Sequence, residues 1–226
     1  MKTLVYLKTN PRKLQYSRTK KGDLPSLKVY VDSDFAADRD TRKSTSGVSA
    51  FHNTNMVNWI VKNQKSVALS TMEAEYMALC EATKEALYLK QLFTEIGMML
   101  PDEPVLIMED NQACKLISRD AQHHTRAKHI DVQYHFSREA QQKGKTKVVD
   151  VHTQRQLADY LTKYVHPIVL DRLSKAAFGH DTSFHYQDPT TPLVTQAKTI
   201  KTDRKGLSHS KSTSSMNMNK LRVEAK

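Results

Sequence analysis

Four acids stand where solvent does not explain them: Asp32, Glu75, Asp110 and Asp159. Asp32 closes the alternating run Lys28-Val29-Tyr30-Val31-Asp32. Asp110 follows the apolar run Val105-Leu106-Ile107-Met108, and Asp159 follows Leu157-Ala158 within the predicted last helix. On a helical wheel of about 100° per residue, Met72, Leu79, Ala82, Thr83, Ala86, Leu89 and Phe93 form one face, and Glu75 falls near its centre. A charged carboxylate on a buried face is costly unless it is paired or coordinates a metal, so Glu75 needs a cation. An inward-turned Lys or Arg would serve, and so would a metal ion. Taken singly, Asp32 reads with Asp34 as a turn residue, Asp110 as a helix cap and Asp159 as a surface carboxylate. Taken together, the four fit a carboxylate cage for hard divalent ions, and oxygen ligands beside substrate phosphates suit Mg2+. Two such ions about 3.5–4 Å apart activate a water and stabilise the leaving oxygen in phosphodiester displacement.

The elements that must position these acids are readable from Leu27 to about Phe178. Three antiparallel strands are predicted around Lys28–Asp32, Gly47–Phe51 and Val57–Val61, the last two joined by the turn-prone Asn53-Thr54-Asn55. Ser70-Thr71-Met72-Glu73 is a capping box opening a long helix to Gly97. Glu73 lies off the apolar stripe, where capping and solvent account for it. A strand over Pro104–Met108 precedes a short helix over Asn111–Ile117, an order that favours parallel pairing. A second long helix over His129–Gln142, a strand over Lys147–Val151 and a second capping box, Thr153-Gln154-Arg155-Gln156, opening a final helix complete the prediction.

The charge agrees with a phosphate-bearing substrate. The 226 residues carry 35 Lys+Arg against 24 Asp+Glu, a net charge of +11, and Lys/Arg neutralisation of phosphates supplies most sequence-independent affinity for nucleic acid. Backbone-contact candidates are Arg39, Arg42 and Lys43 with Ser44, Thr45, Ser46 and Gly47, and Arg126, Lys128 and His129 ahead of the second long helix. Six scattered glycines exclude a Gly-rich phosphate loop and a dinucleotide fingerprint. Cys80 and Cys114 form neither a disulfide framework nor a paired-cysteine zinc motif and read as reduced core thiols. The apolar runs are too short to span a bilayer, no secretory signal is recognised at the N-terminus, and no membrane partner is expected.

The match becomes specific in six ordered segments: Tyr30-Val31-Asp32-Ser33-Asp34-Phe35-Ala36, Arg42-Lys43-Ser44-Thr45-Ser46-Gly47, Leu69-Ser70-Thr71-Met72-Glu73-Ala74-Glu75-Tyr76, Glu109-Asp110-Asn111-Gln112, Arg126-Ala127-Lys128-His129-Ile130-Asp131 and Gln156-Leu157-Ala158-Asp159. They strongly resemble the ribonuclease H domain at the end of copia-type LTR-retrotransposon polyproteins, over residues 28–165. The resemblance implies an α/β ribonuclease H-like fold, a five-stranded mixed sheet flanked by helices. It implies a metal-dependent endonuclease that hydrolyses the RNA strand of RNA/DNA hybrids with two Mg2+ ions, Mn2+ being a substitute. Asp32, Glu75, Asp110 and Asp159 would be the metal-binding acids. His152 is the local candidate for the mobile histidine that aids product release in many such enzymes, and Asn111 joins the substrate contacts. The backbone near Ser44–Gly47 is placed to read the 2′-hydroxyl that distinguishes RNA.

Residues 1–26 resemble the end of a reverse-transcriptase connection, 27–179 the ribonuclease H-like domain, and 180–226 read as a disordered basic Ser/Thr-rich tail. No polymerase Tyr-x-Asp-Asp motif is present, so the expectation is a truncated C-terminal fragment with a reverse-transcriptase domain supplied in trans. By analogy with the element's life cycle the expected location is intracellular, cytoplasmic with nuclear access. Two readings compete: a catalytically weak nucleic-acid-binding remnant of the same domain, and a zinc module using His123, His124, His129 and His135, whose spacings do not match helix-borne zinc pairs.

Overall fold

A computed structural model describes residues 12–19, 24–119 and 128–185; for 117, 119 and 128–134 the backbone alone is described. The elements run β1 (Leu27–Asp34), β2 (Thr45–His52), β3 (Asn55–Asn63), α1 (Thr71–Glu95), β4 (Val105–Glu109), α2 (Gln112–Arg119), α3 (Lys128–Gln142), β5 (Thr146–Asp150), α4 (Asp159–Thr162) and α5 (Pro167–Ala177), with 3-10 turns at Thr153–Arg155 and Thr182–Phe184. They form one five-stranded mixed sheet in the order β3-β2-β1-β4-β5. The first three strands are antiparallel, and β4 and β5 add to β1 in parallel. This is the flanked five-stranded mixed sheet expected from the sequence.

Alternation along β1 divides the core. Leu27, Val29 and Val31 pack with Leu79, Ala82, Ala86 and Leu89 of α1, while Tyr30 joins Phe51, Leu106, Met108, Leu157 and Leu173 in a second cluster with α5. The sheet is therefore buried on both faces, as parallel pairing through helical crossovers demands.

The start of α1 follows its capping box. Ser70 Oγ accepts from the Glu73 N–H at 3.1 Å, and Glu73 Oε2 accepts from the Leu69 N–H at 2.9 Å. Glu73 is thereby buried, at 7% exposure, rather than solvated as the wheel implied. The second capping box is a correction. Thr153 does not open the last helix: His152 caps a 3-10 turn that ends at Gln156, and Asp159 starts the separate short helix α4. Beyond it α5, missed in the sequence, begins at Pro167 with His166 as its cap. Proline at a first helical position loses no hydrogen bond and presets φ.

The flanks pack more closely than the sequence indicates. Arg12 pairs with Asp171, the Gln15 N–H donates to the Phe178 carbonyl at 2.8 Å, and Ser17 exchanges two bonds with the Asn55 side chain. Past Gly179, His185 is buried against Phe51, with ring centroids 4.8 Å apart. Packing thus continues to residue 185, beyond the expected boundary at 179. Residues 1–11 and 186–226 lie outside the described residues.

Candidate active site

Parallel pairing of β1 with β4 brings their C-terminal ends side by side, where open α/β sheets place their sites. The two strands then part: their pairing register runs only from Lys28 with Leu106 to Tyr30 with Met108, while β1 continues to Asp34. Gln156 fills the parting. Its fully buried amide donates to the Val31 carbonyl at 2.9 Å and the Met108 carbonyl at 3.4 Å, and its Oε1 accepts from the Ala158 N–H at 3.3 Å. One side chain thereby satisfies two strand ends and seats the entry to α4.

Around this opening stand the four acids. Asp32 lies on β1, Glu75 in the second turn of α1 and Asp159 at the first position of α4, all buried; Asp110, just past β4, is half-buried. Burial, and after it the charge of Asp32, pushes the Glu75 carboxyl up to about 8. Burial likewise lifts Asp159 to about 7, with Asp32 adding and Lys163 opposing. Asp32 is raised by burial against the pull of Lys163 and Thr162. Glu109 is a further acid that the sequence reading passed over. It is fully buried; its Oε1 accepts from the Asn111 N–H at 3.0 Å, and its Oε2 has no hydrogen-bond partner among the described residues. Burial, then the Glu75 charge, holds its carboxyl well above the usual range.

Thr162 and Lys163 were also missed. The Thr162 hydroxyl donates to Asp32 Oδ2, and Lys163 Nζ lies 3.1 Å from Asp32 Oδ1 and 3.0 Å from Asp159 Oδ1. Burial opposes the Lys163 charge, but Asp32 and Asp159 outweigh it and raise the ammonium above the usual lysine range. The available signal was the spacing: Thr162 and Lys163 stand three and four residues after Asp159, on one helical face. Gly47 makes room for this contact, since a Cβ there would lie 2.5 Å from Thr162 Cγ2.

The predicted substrate contacts divide. Arg42 is exposed, with a left-handed φ of 57°, and Lys43 is half-exposed. Ser44 and Ser46 are buried, their hydroxyls bonded to the Ala36 N–H and the Gln64 amide at 3.1 and 2.9 Å. Thr45 bonds Asn63 at 3.1 Å. Asn111 caps α2 by accepting from the Cys114 N–H at 3.0 Å. His152 is exposed, its Nδ1 accepting from the Gln154 N–H at 3.2 Å, and it touches none of the four acids among its described bonds. Lys128 and His129 open α3 with side chains outside the described residues, as are Arg126, His123 and His124. Cys80 and Cys114 are buried and free.

Among the described residues, no three His, Cys, Asp or Glu side chains are gathered tightly enough to hold a metal ion; Asp32 and Asp159 turn to Lys163 instead. The donor chemistry nevertheless fits a hard divalent cation. The set is all oxygen, and Glu75 Oε2 is buried without a hydrogen-bond partner among the described residues, an arrangement that calls for a cation or a proton.

Sheet order and acid rim define a ribonuclease H-like fold. The chain's homologues are retrovirus-related Pol polyproteins of transposons. It is 40% identical over 159 residues to the one from transposon TNT 1-94 of Nicotiana tabacum, covering 67% of this chain and 12% of that protein. With those from transposons RE2 and RE1 of Arabidopsis thaliana it shares 36% over 156 residues and 39% over 144, covering 69% and 64% of this chain and 11% and 10% of theirs. The chain thus spans about a tenth of the length of these curated relatives. No protein-family model matches. Among solved structures, LC11-RNase H1, isolated from compost, is 14% identical with a TM-score of 0.46, over 61% of this chain and 92% of that one. The same enzyme in complex with an RNA/DNA hybrid gives 17%, 0.44, 61% and 94%. The prototype foamy virus protease–reverse transcriptase gives 15%, 0.43, 78% and 23%. No described helix is long and apolar enough to cross a membrane.

Proposed function

We propose that this chain is the ribonuclease H of a copia-type element, a metal-dependent endonuclease that hydrolyses the RNA strand of RNA/DNA hybrids. The supporting observation is that Asp32 on β1, Glu75 on α1, Asp110 just past β4 and Asp159 on α4 lie close enough that the charge of Asp32 or Asp110 raises the proton affinity of its neighbours. These four would hold two Mg2+ ions, or Mn2+ in their place. When bound, such a pair activates a water and stabilises the leaving oxygen.

The chain's own residues supply position and charge. Gln156 and the Thr162 hydroxyl fix Asp159 and Asp32 on the rim. Arg42 and Lys43 offer cations to substrate phosphates, with Lys128 and His129 at the start of α3 as further contacts. Ser44 serves by bracing the Ala36 backbone and Ser46 by holding the Gln64 side chain, Thr45 and Gly47 lie along the same strand, and Asn111 stands beside Asp110. His152, exposed ahead of Asp159, is the residue proposed to assist product release. The hybrid is the proposed partner, with a reverse-transcriptase domain in trans extending the grip on it, in the cytoplasm with access to the nucleus. Residues 1–26 are proposed as connection and the region after 185 as a basic tail.

Cleavage of an end-labelled hybrid with Mg2+, beside duplex DNA, duplex RNA and an Asp110→Asn control, tests the reading. Mg2+-dependent loss of the RNA strand alone, absent in the control, is expected. Intact hybrid with measurable binding would leave a nucleic-acid-binding remnant.

A further inference from the structure

We propose that Lys163 is a built-in counter-cation of the acid site, whose ammonium holds Asp32 and Asp159 together until a divalent ion takes its place. The inference rests on the metal-site reading above and assigns a role that reading does not need. Asp32 is 1% exposed, so water does not screen it. Both of its oxygens are engaged within the fold, Oδ2 by the Thr162 hydroxyl and Oδ1 by Lys163 Nζ. The same Nζ reaches Asp159 Oδ1. A single positive point thus bridges two buried carboxylates whose mutual repulsion would otherwise open the rim.

The choice of lysine matters for exchange. An arginine would grip a carboxylate by two parallel bonds, whereas an ammonium is a mobile point charge on a flexible stem. The Lys163 side chain is 36% exposed, so its head has a route to solvent; that of Lys115, paired with Asp150, is 7% exposed and has none. The backbone stays fixed during such a swing because the Lys163 N–H bonds the Asp159 carbonyl at 3.2 Å, capping the C-terminal end of α4. Thr162, anchored by its own bond to Asp32, would keep that carboxylate aimed into the site when the ammonium leaves.

The first test uses the unaltered protein. Brief acetylation with and without Mg2+, read by peptide mass spectrometry against the surface residue Lys143, is expected to label Lys163 several-fold more when Mg2+ is present. Unchanged labelling in a protein that demonstrably binds Mg2+ would overturn the proposal. The second test is calorimetric titration of Mn2+ into wild type, Lys163→Met, Lys163→Gln and Asp110→Asn, each first checked for native circular dichroism. Loss of binding in Asp110→Asn secures the metal-site reading. Affinity about tenfold tighter in Lys163→Met, the expected gain from removing one competing charge, then supports the counter-cation, with Lys163→Gln in the same direction. Equal affinity in wild type and both Lys163 variants overturns the counter-cation alone, and absence of binding in all four overturns both readings.

Discussion

Replacing Glu75 by glutamine probes the energetic cost that the site imposes on the fold. Glu75 keeps its proton in the folded state up to about 8, against an ordinary value of 4.5. Between those limits the folded chain binds more protons than the unfolded one, so stability is highest at the acid end of the window and falls as pH rises through it. Each unit of pH in that window costs about 1.4 kcal/mol for one such group. From about pH 5.5 to about pH 8 the loss at Glu75 is therefore about 3 kcal/mol, lowered to about 2 kcal/mol if coupling to Asp32 shares the proton. Urea unfolding in EDTA, followed by circular dichroism across this range, measures it. The wild type is expected to lose stability relative to Glu75→Gln by about 2–3 kcal/mol between the two ends. Mg2+ is expected to shrink the difference, since a bound cation removes the reason to hold the proton. A stability gap that stays constant with pH would refute the reasoning, because it would mean that Glu75 is already ionised in the folded, metal-free protein.

Three further substitutions test how the rim is built. Gly47→Ala puts a methyl group where only 2.5 Å separates it from Thr162 Cγ2; a loss of about 1–3 kcal/mol together with weakened hybrid cleavage is expected, and wild-type behaviour in both would show that α4 is not seated on β2. Gln156→Met keeps the volume but leaves the Val31 and Met108 carbonyls unpaired, so thermal unfolding should register about 1–3 kcal/mol of destabilisation; an unchanged melting temperature would mean water replaces the amide. Gly179→Ala meets both a φ of +82° and the Gln15 carbonyl at 2.2 Å. It should release residues 12–19 from α5, seen as faster hydrogen exchange at the Gln15 amide, at a cost of about 1–3 kcal/mol; exchange as slow as in wild type would place the arm's anchor elsewhere.

How far these features were legible in the sequence depended on how local their causes are. The face of α1 was readable because Leu79, Ala82, Thr83, Ala86, Leu89 and Phe93 repeat with the helix, and all are buried with Glu75 among them. The capping role of Glu73 was readable from Ser70-Thr71-Met72-Glu73, but its burial was not, because a wheel sees only its own helix and not the chain before Ser70 folding back so that Leu69 donates to Glu73. Thr153-Gln154-Arg155-Gln156 satisfied the local rule for a capping box, yet the Gln156 amide is bound to carbonyls on β1 and β4, 125 and 48 positions away. A local rule cannot anticipate a gap between two strands that have yet to meet.

Lys163 shows the same limit in its sharpest form, because the chain offers its own controls. Glu139 with Lys143, Asp159 with Lys163 and Asp171 with Lys175 are all acid–lysine pairs four residues apart within helical stretches, and all three close. Spacing alone makes them equivalent, each a few tenths of a kcal/mol on a helix surface. In the fold the carboxylates of Glu139 and Asp171 are 59% and 42% exposed, and that of Asp159 is 9% exposed. Only the last lies where a second carboxylate, from a strand more than a hundred residues earlier, reaches the same ammonium. The surface pairs can break and be solvated at little cost, whereas opening the buried one without a replacement cation leaves two carboxylates facing each other out of water. The difference between a decorative ion pair and a candidate working part of the site is thus set by what the sheet brings to it: with Asp159 lifted to about 7, that rim opens inexpensively only when a second cation or a proton replaces the ammonium.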